Sequence, residues 1–214
     1  MDAPDQVQSP VKTGSKTRKI FFVVGTVIAV SAIVFGFEWK RKFPFGRSHC
    51  CAKGIGMELR IYAEDHRGWL PHGQPTPEAS LSLLCTDSNL VGWVCGKNIP
   101  VAVARAALAK DGTLGPTSCG WHYVEGLRSD DDPEIAVAWD KIHGLGHNGQ
   151  RIEWLARSVI LLDGSEQGIS EKKWPDFVAD QKARLAKLIA SRDTNSPPIR
   201  WSDEESLGPN TSRK

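Results

Sequence analysis

Residues 20–37 read IFFVVGTVIAVSAIVFGF, a run without a single charge in which only Thr26 and Ser31 are polar. At ~1.5 Å per residue a helix of this run is about 27 Å long, close to the roughly 30 Å of a bilayer's hydrocarbon core. It is apolar on every face, unlike the core helix of a globular domain, and longer than the apolar region of a cleavable signal. The pattern therefore predicts one transmembrane helix over 20–37, with Trp39 as an interfacial anchor. Residues 1–19 show no periodicity and are expected as a disordered cytoplasmic tail.

Beyond the span the period changes. Cys51, Ile55, Leu59, Tyr62 and Ala63 recur every three to four residues, the mark of an amphipathic helix, and Pro44 and Gly46 predict a break between it and the membrane helix. A short helix is expected to start with Thr76 as cap and Pro77 in its first turn, burying Leu81 and Leu84. A third should run over 100–110 and stop at Asp111-Gly112. Short β-compatible runs follow at 118–124, 134–140 and 157–162, with a further arm at 167–169 after an Asp163-Gly164 turn, which together predict a small antiparallel sheet. Trp174, Phe177, Val178, Leu185, Leu188 and Ile189 mark a last helix. From Asp193 the composition predicts a disordered tail over 193–214. The expected fold class is α+β, with a folded domain over 43–192.

Charge adds a constraint on partners. The net charge is +2, but residues 1–47 hold eight Lys/Arg against three Asp/Glu, while 48–214 hold nineteen against twenty-two. The basic excess flanks the apolar run and leaves the domain slightly acidic, which excludes phosphate-backbone binding as its main work; no nucleic-acid partner is expected. Orientation is not decided by charge, because Lys12, Lys16, Arg18 and Lys19 precede the span and Lys40, Arg41, Lys42 and Arg47 follow it. The cysteine content of the domain and the short N-terminal segment favour an extracytoplasmic domain.

None of the five cysteines, Cys50, Cys51, Cys85, Cys95 and Cys119, has the C-x-x-C spacing of a zinc or redox motif. Two states stay open: a Cys85–Cys95 disulfide around a short loop, or five buried thiols. His143, His147 and Asp163 supply two imidazoles and a carboxylate, the donor set of a metal-dependent hydrolase, but Gly144, Gly146 and Gly149 put the histidines on a loop where backbone hydrogen bonding is the simpler role. No cofactor is expected. Cys119 and His122 are placed on opposite faces of one strand, and Asp130-Asp131-Asp132 lacks the alternating ligand spacing of a calcium loop and reads as a solvated turn.

The stretch GIGMELRIYAEDHRGWLP, Gly54 to Pro71, resembles the segment after the membrane helix in type IV pilin-like and type II secretion pseudopilin-like proteins, in particular a planctomycete-type group. Gly146-His147-Asn148-Gly149 and VILLDGS, ending in Asp163-Gly164-Ser165, resemble that group's C-terminal His…Asp-Gly signature. The resemblance spans about residues 20–192. It implies a spine helix packed on an antiparallel sheet, a non-catalytic structural or secretion-associated role at the bacterial inner membrane, and as partners the lipid bilayer and other pilin-like or secretion-system subunits. Two features depart from the family. The processing motif, a Gly followed by Phe-Thr-Leu-Ile-Glu, is absent and no Glu lies in the span; the interval from His147 to Asp163 is also longer. Processing and filament assembly are therefore not carried over.

Overall fold

The computed structural model describes residues 15–45, 50–86 and 90–202. The chain divides into two units, Met1–Lys42 and Phe43–Lys214. The first contains α1 (Ser15–Lys42), which starts within the segment expected to be a disordered tail; residues 1–14 lie outside the described residues. Its apolar part, Ile20–Lys42, is 23 residues long and none of it is buried inside the protein. A fully exposed apolar helix of this length can bury its surface only against lipid or other proteins, and it is long enough to cross a membrane.

The second unit is mixed helix and sheet. Five antiparallel strands, β1 (Trp121–Glu125), β2 (Ala136–Asp140), β3 (Arg157–Leu161), β4 (Glu166–Ile169) and β5 (Arg200–Trp201), lie in the order β4-β3-β2-β1-β5. All five residues of β2 are buried. Alternate strand residues point to opposite faces, so the sheet is covered on both sides at its centre. The strand cores match the predicted runs, while their first residues, such as Ser118 to Gly120, form a turn ahead of β1.

α2 (Ala52–Asp65) packs on β3 and β4 through Ile55, Leu59 and Ala63. Cys51 does not join that apolar stripe. It is the exposed N-cap of the helix, its Sγ accepting from the Gly54 N–H at 3.2 Å, so its place in the periodicity reflects capping rather than packing. α3 (Pro77–Leu81) is capped by Thr76 as expected, with Oγ1 accepting from the Ala79 N–H at 3.2 Å, and runs into a 3-10 turn, Ser82–Thr86. Leu81 and Leu84 are buried. α4 (Val91–Val94) is a single turn, α5 (Val101–Asp111) stops at Gly112 with φ +72°, and α6 (Trp174–Ser191) buries Val178, Gln181 and Leu185.

Two expectations are corrected. The acidic turn Asp130-Asp131-Asp132 is not merely solvated: Arg128 pairs with Asp130, Arg184 with Asp132 at 2.7 Å, and Arg192 with Asp131. Arg184 and Arg192 thereby tie the second half of α6 and its C-cap to the loop before β2. The tail is also ordered as far as Ser202; residues 203–214 lie outside the described residues. Its order comes from Arg200, which pairs with the buried Glu125 carboxylate and donates to the Gln74 carbonyl at 2.6 Å. Ser80 supplies Glu125 with a second hydrogen bond. Low apolar content hid a segment that docks through one charge and a two-residue strand.

Arg200→Ala leaves Glu125, 2% exposed, with Ser80 as its remaining side-chain partner. Because the guanidinium is itself part-exposed, the expected loss of stability is about 2 kcal/mol, below that of a fully buried pair. Urea unfolding of the purified protein should show it, and adding Glu125→Gln should recover part of the loss by removing the stranded charge.

Candidate functional site

The residues that carry the family resemblance meet at α2. Gly54 and Gly56 are points of close approach: a Cβ on Gly54 would lie 2.7 Å from the Trp93 ring, and one on Gly56 would lie 2.6 Å from the Gly164 carbonyl oxygen. Asp163-Gly164 is the β3–β4 turn, with Gly164 at φ +82° and the Asp163 carboxylate accepting from the Ser165 N–H at 2.8 Å. Hydrogen bonds from Ser165, side chain first and then backbone, hold the Asp163 carboxyl below its ordinary range. Arg60 of α2 donates to the Asp163 carbonyl at 3.2 Å, so the helix grips the turn as well as resting on it.

The other motif segment sits at the start of α2. Residues 144–152 form a narrow hairpin closed by Gly146 N–H to Gln150 O at 2.8 Å and Ile152 N–H to Gly144 O at 2.7 Å. Asn148 is buried and its Oδ1 accepts from the Gln150 N–H at 3.2 Å, while Gly149 takes φ +80°. The His147 carbonyl accepts from the Cys50 N–H at 2.9 Å. The His147 side chain is exposed, and what the loop contributes to docking is its backbone.

Between this hairpin and the first turn of α2 lies a cavity of about 760 Å³. Trp93, Leu145, Ile152 and Leu155 form its apolar walls, and Cys51, Lys53, His147 and Glu166 its polar rim. Its floor is charged. Lys97, on the turn after α4, donates to Asp140 Oδ2 at 2.7 Å and to Ser158 Oγ at 2.6 Å. The Ser158 N–H donates to the same Asp140 oxygen at 2.9 Å, tying the end of β2 to the start of β3. All three residues are buried: Lys97 is 5% exposed, Asp140 2% and Ser158 8%. Burial pushes the Asp140 carboxyl up and Lys97 opposes that rise. Asp140 Oδ1 is buried with no hydrogen-bond partner among the described residues.

No disulfide joins the five cysteines among the described residues, so the Cys85–Cys95 bridge is absent. Cys95 is fully buried and its Sγ is directed at the Gly92 and Ile99 carbonyls, at 3.3 and 3.4 Å, where it closes the turn after α4. Burial pushes the thiols of Cys85, Cys95 and Cys119 up to about 12. The histidine and carboxylate set is not assembled either. His143 faces Glu171 at 3.6 Å, His147 lies at the cavity rim and Asp163 in the β3–β4 turn against α2; no group of three His, Cys, Asp or Glu among the described residues is placed to hold a metal.

The Lys97–Asp140–Ser158 cluster was not legible in the sequence. Lys97 lies in a loop, Asp140 ends a strand and Ser158 is one polar residue in an apolar run, 43 and 61 positions from Lys97. The available signal was Asp140 itself, an acid closing an otherwise apolar strand. No family model, curated protein or solved structure matches the chain.

Lys97→Met strands the Asp140 carboxylate in the core and should cost about 3–5 kcal/mol, whereas Lys97→Met with Asp140→Asn should recover much of it. Urea unfolding of the two variants measures the difference. The thiols predict a separate alkaline effect. Unfolded cysteines ionise near 9.0 and the buried ones near about 12, so the native state holds protons that the unfolded state has lost. Their contribution is intact below the unfolded value and is lost as pH rises through that window. The urea midpoint should fall between about pH 8 and about pH 10.5, and replacing the three thiols with Ala should flatten the fall.

Proposed function

We propose that the protein is a single-pass, inner-membrane-anchored, pilin-like structural or secretion-associated component whose domain faces the extracytoplasmic side and works by contact rather than by catalysis. One observation carries this reading. Of the residues of the resemblance, Gly56, Asp163 and Gly164 dock the spine helix α2 on the β3–β4 turn, Gly54 sets it against Trp93, and Asn148 and Gly149 shape the loop whose His147 carbonyl receives the Cys50 N–H just ahead of α2. A motif whose residues fix a helix in place, while its histidine points to solvent, suits a scaffold. The exposed apolar helix α1 supports the anchor, since it requires a surrounding the chain itself does not supply.

The outward side of α2 is the surface offered to other subunits. Met57 and Ile61, one helical turn apart, are 55% and 46% exposed. A photo-reactive residue at either position, in the full-length protein in its own membrane, is expected to give discrete adducts with membrane-anchored pilin-like or secretion subunits. The absence of adducts at both positions would overturn the role. Protease shaving of spheroplasts checks the orientation, because digestion of the domain before lysis is the expected result and protection until lysis reverses the topology.

A further inference from the structure

The scaffold reading leaves the cavity at the start of α2 without a purpose, and its floor is chemically specific. The Lys97 ammonium has three hydrogens, of which one goes to Asp140 and one to Ser158. Ser158 Oγ accepts from Lys97, so its own hydrogen points elsewhere; neither the third Lys97 hydrogen nor the Ser158 hydrogen has an acceptor among the described residues. Both residues line the cavity and both are more than nine-tenths buried. Two unspent donors on a buried floor ask for an oxygen acceptor, because leaving them unmet costs free energy.

We propose that this cavity binds a monocarboxylate with an apolar body, one carboxylate oxygen taken by Lys97 and Ser158 and the body lying against Trp93, Ile152 and Leu155. The first-turn N–H groups of Ala52 and Lys53 have no intrahelical partner and border the same space, as does the Lys53 ammonium, so a negative charge is favoured there. The limit to one charge follows from the floor and rim. Asp140 already neutralises Lys97 from behind, and Glu166 stands at the rim, which disfavours a dianion such as phosphate. At about 760 Å³ the space suits a small organic ligand and is larger than a bare anion needs.

Full-length protein in nanodiscs would be titrated with phenylbutyrate and with its uncharged amide, phenylbutyramide, using empty nanodiscs to subtract partitioning into lipid. Saturable binding of the carboxylate, with the amide about tenfold weaker, is expected. Ser158→Ala should weaken the carboxylate several-fold, and Leu155→Trp, which fills the cavity without touching the ion pair, should abolish its binding. Circular dichroism of both variants establishes that they fold. Carboxylate binding no greater than in empty nanodiscs overturns the proposal, as does equal binding of acid and amide, or binding that survives Leu155→Trp. The cross-linking outcome at Met57 and Ile61 does not bear on it.

Discussion

A helix can lie against a turn at backbone distance only where its side chains vanish, and the domain is organised around two such places. At Gly54 the α2 backbone meets the Trp93 ring, and at Gly56 it meets the Gly164 carbonyl, each closer than a methyl group would allow. The turn answers with a glycine of its own, held at positive φ so that β3 can fold back into β4. With those contacts made, Ile55, Leu59 and Ala63 are driven into the core. The angle of α2 then fixes where its first turn opens, and with it the position of the hairpin at residues 144–152 that receives the Cys50 N–H.

A second layer of order comes from charges placed inside. Lys97, Glu78 and Glu125 are buried, and each is matched: Lys97 by Asp140, Glu78 by Lys141, Glu125 by Arg200. Each pair joins an element outside the central strands to a strand end or the residue next to it, namely the turn after α4 to β2, α3 to the residue after β2, and β5 to β1. Hydrophobic contact alone is non-directional and would tolerate these segments in several positions. An ion pair in the core is not tolerant, since a misplaced partner leaves a bare charge, and so the pairs select one arrangement more than they add stability.

This division explains what could be read from the sequence. Periodic features were legible: the apolar run of α1, the Ile55-Leu59-Ala63 stripe, the Thr76-Pro77 cap and the strand cores all depend on neighbours in the chain. The turn at Asp163-Gly164 was legible for the same reason. Features that join distant residues were not. β5 is two residues long and owes its place to Arg200 and Glu125, 75 positions apart. Cys51 fell on the apolar period by coincidence with the N-cap, and the Cys85–Cys95 pairing rested on spacing alone while the Cys95 thiol is turned toward backbone carbonyls. Likewise, His143, His147 and Asp163 share a motif in sequence and three separate surroundings in space.

The cluster of Lys97, Asp140 and Ser158 is a buried polar feature that joining segments does not fully account for. Replacing a buried ion pair with apolar residues of similar volume is often neutral or stabilising, so an apolar trio could fasten β2 to β3 equally well. What that trio could not do is present an ammonium hydrogen and a hydroxyl hydrogen to the bottom of an apolar cavity. The Asp140 carboxylate has a place in this arrangement even with one oxygen unsatisfied, because its ion pair offsets the cost of burying the Lys97 charge and fixes where the ammonium stands. The same carboxylate takes the Ser158 N–H and thereby fixes where the hydroxyl stands. An acid that holds a charge and a hydroxyl in register beside an open space, at a cost in desolvation, is arranged around what enters that space.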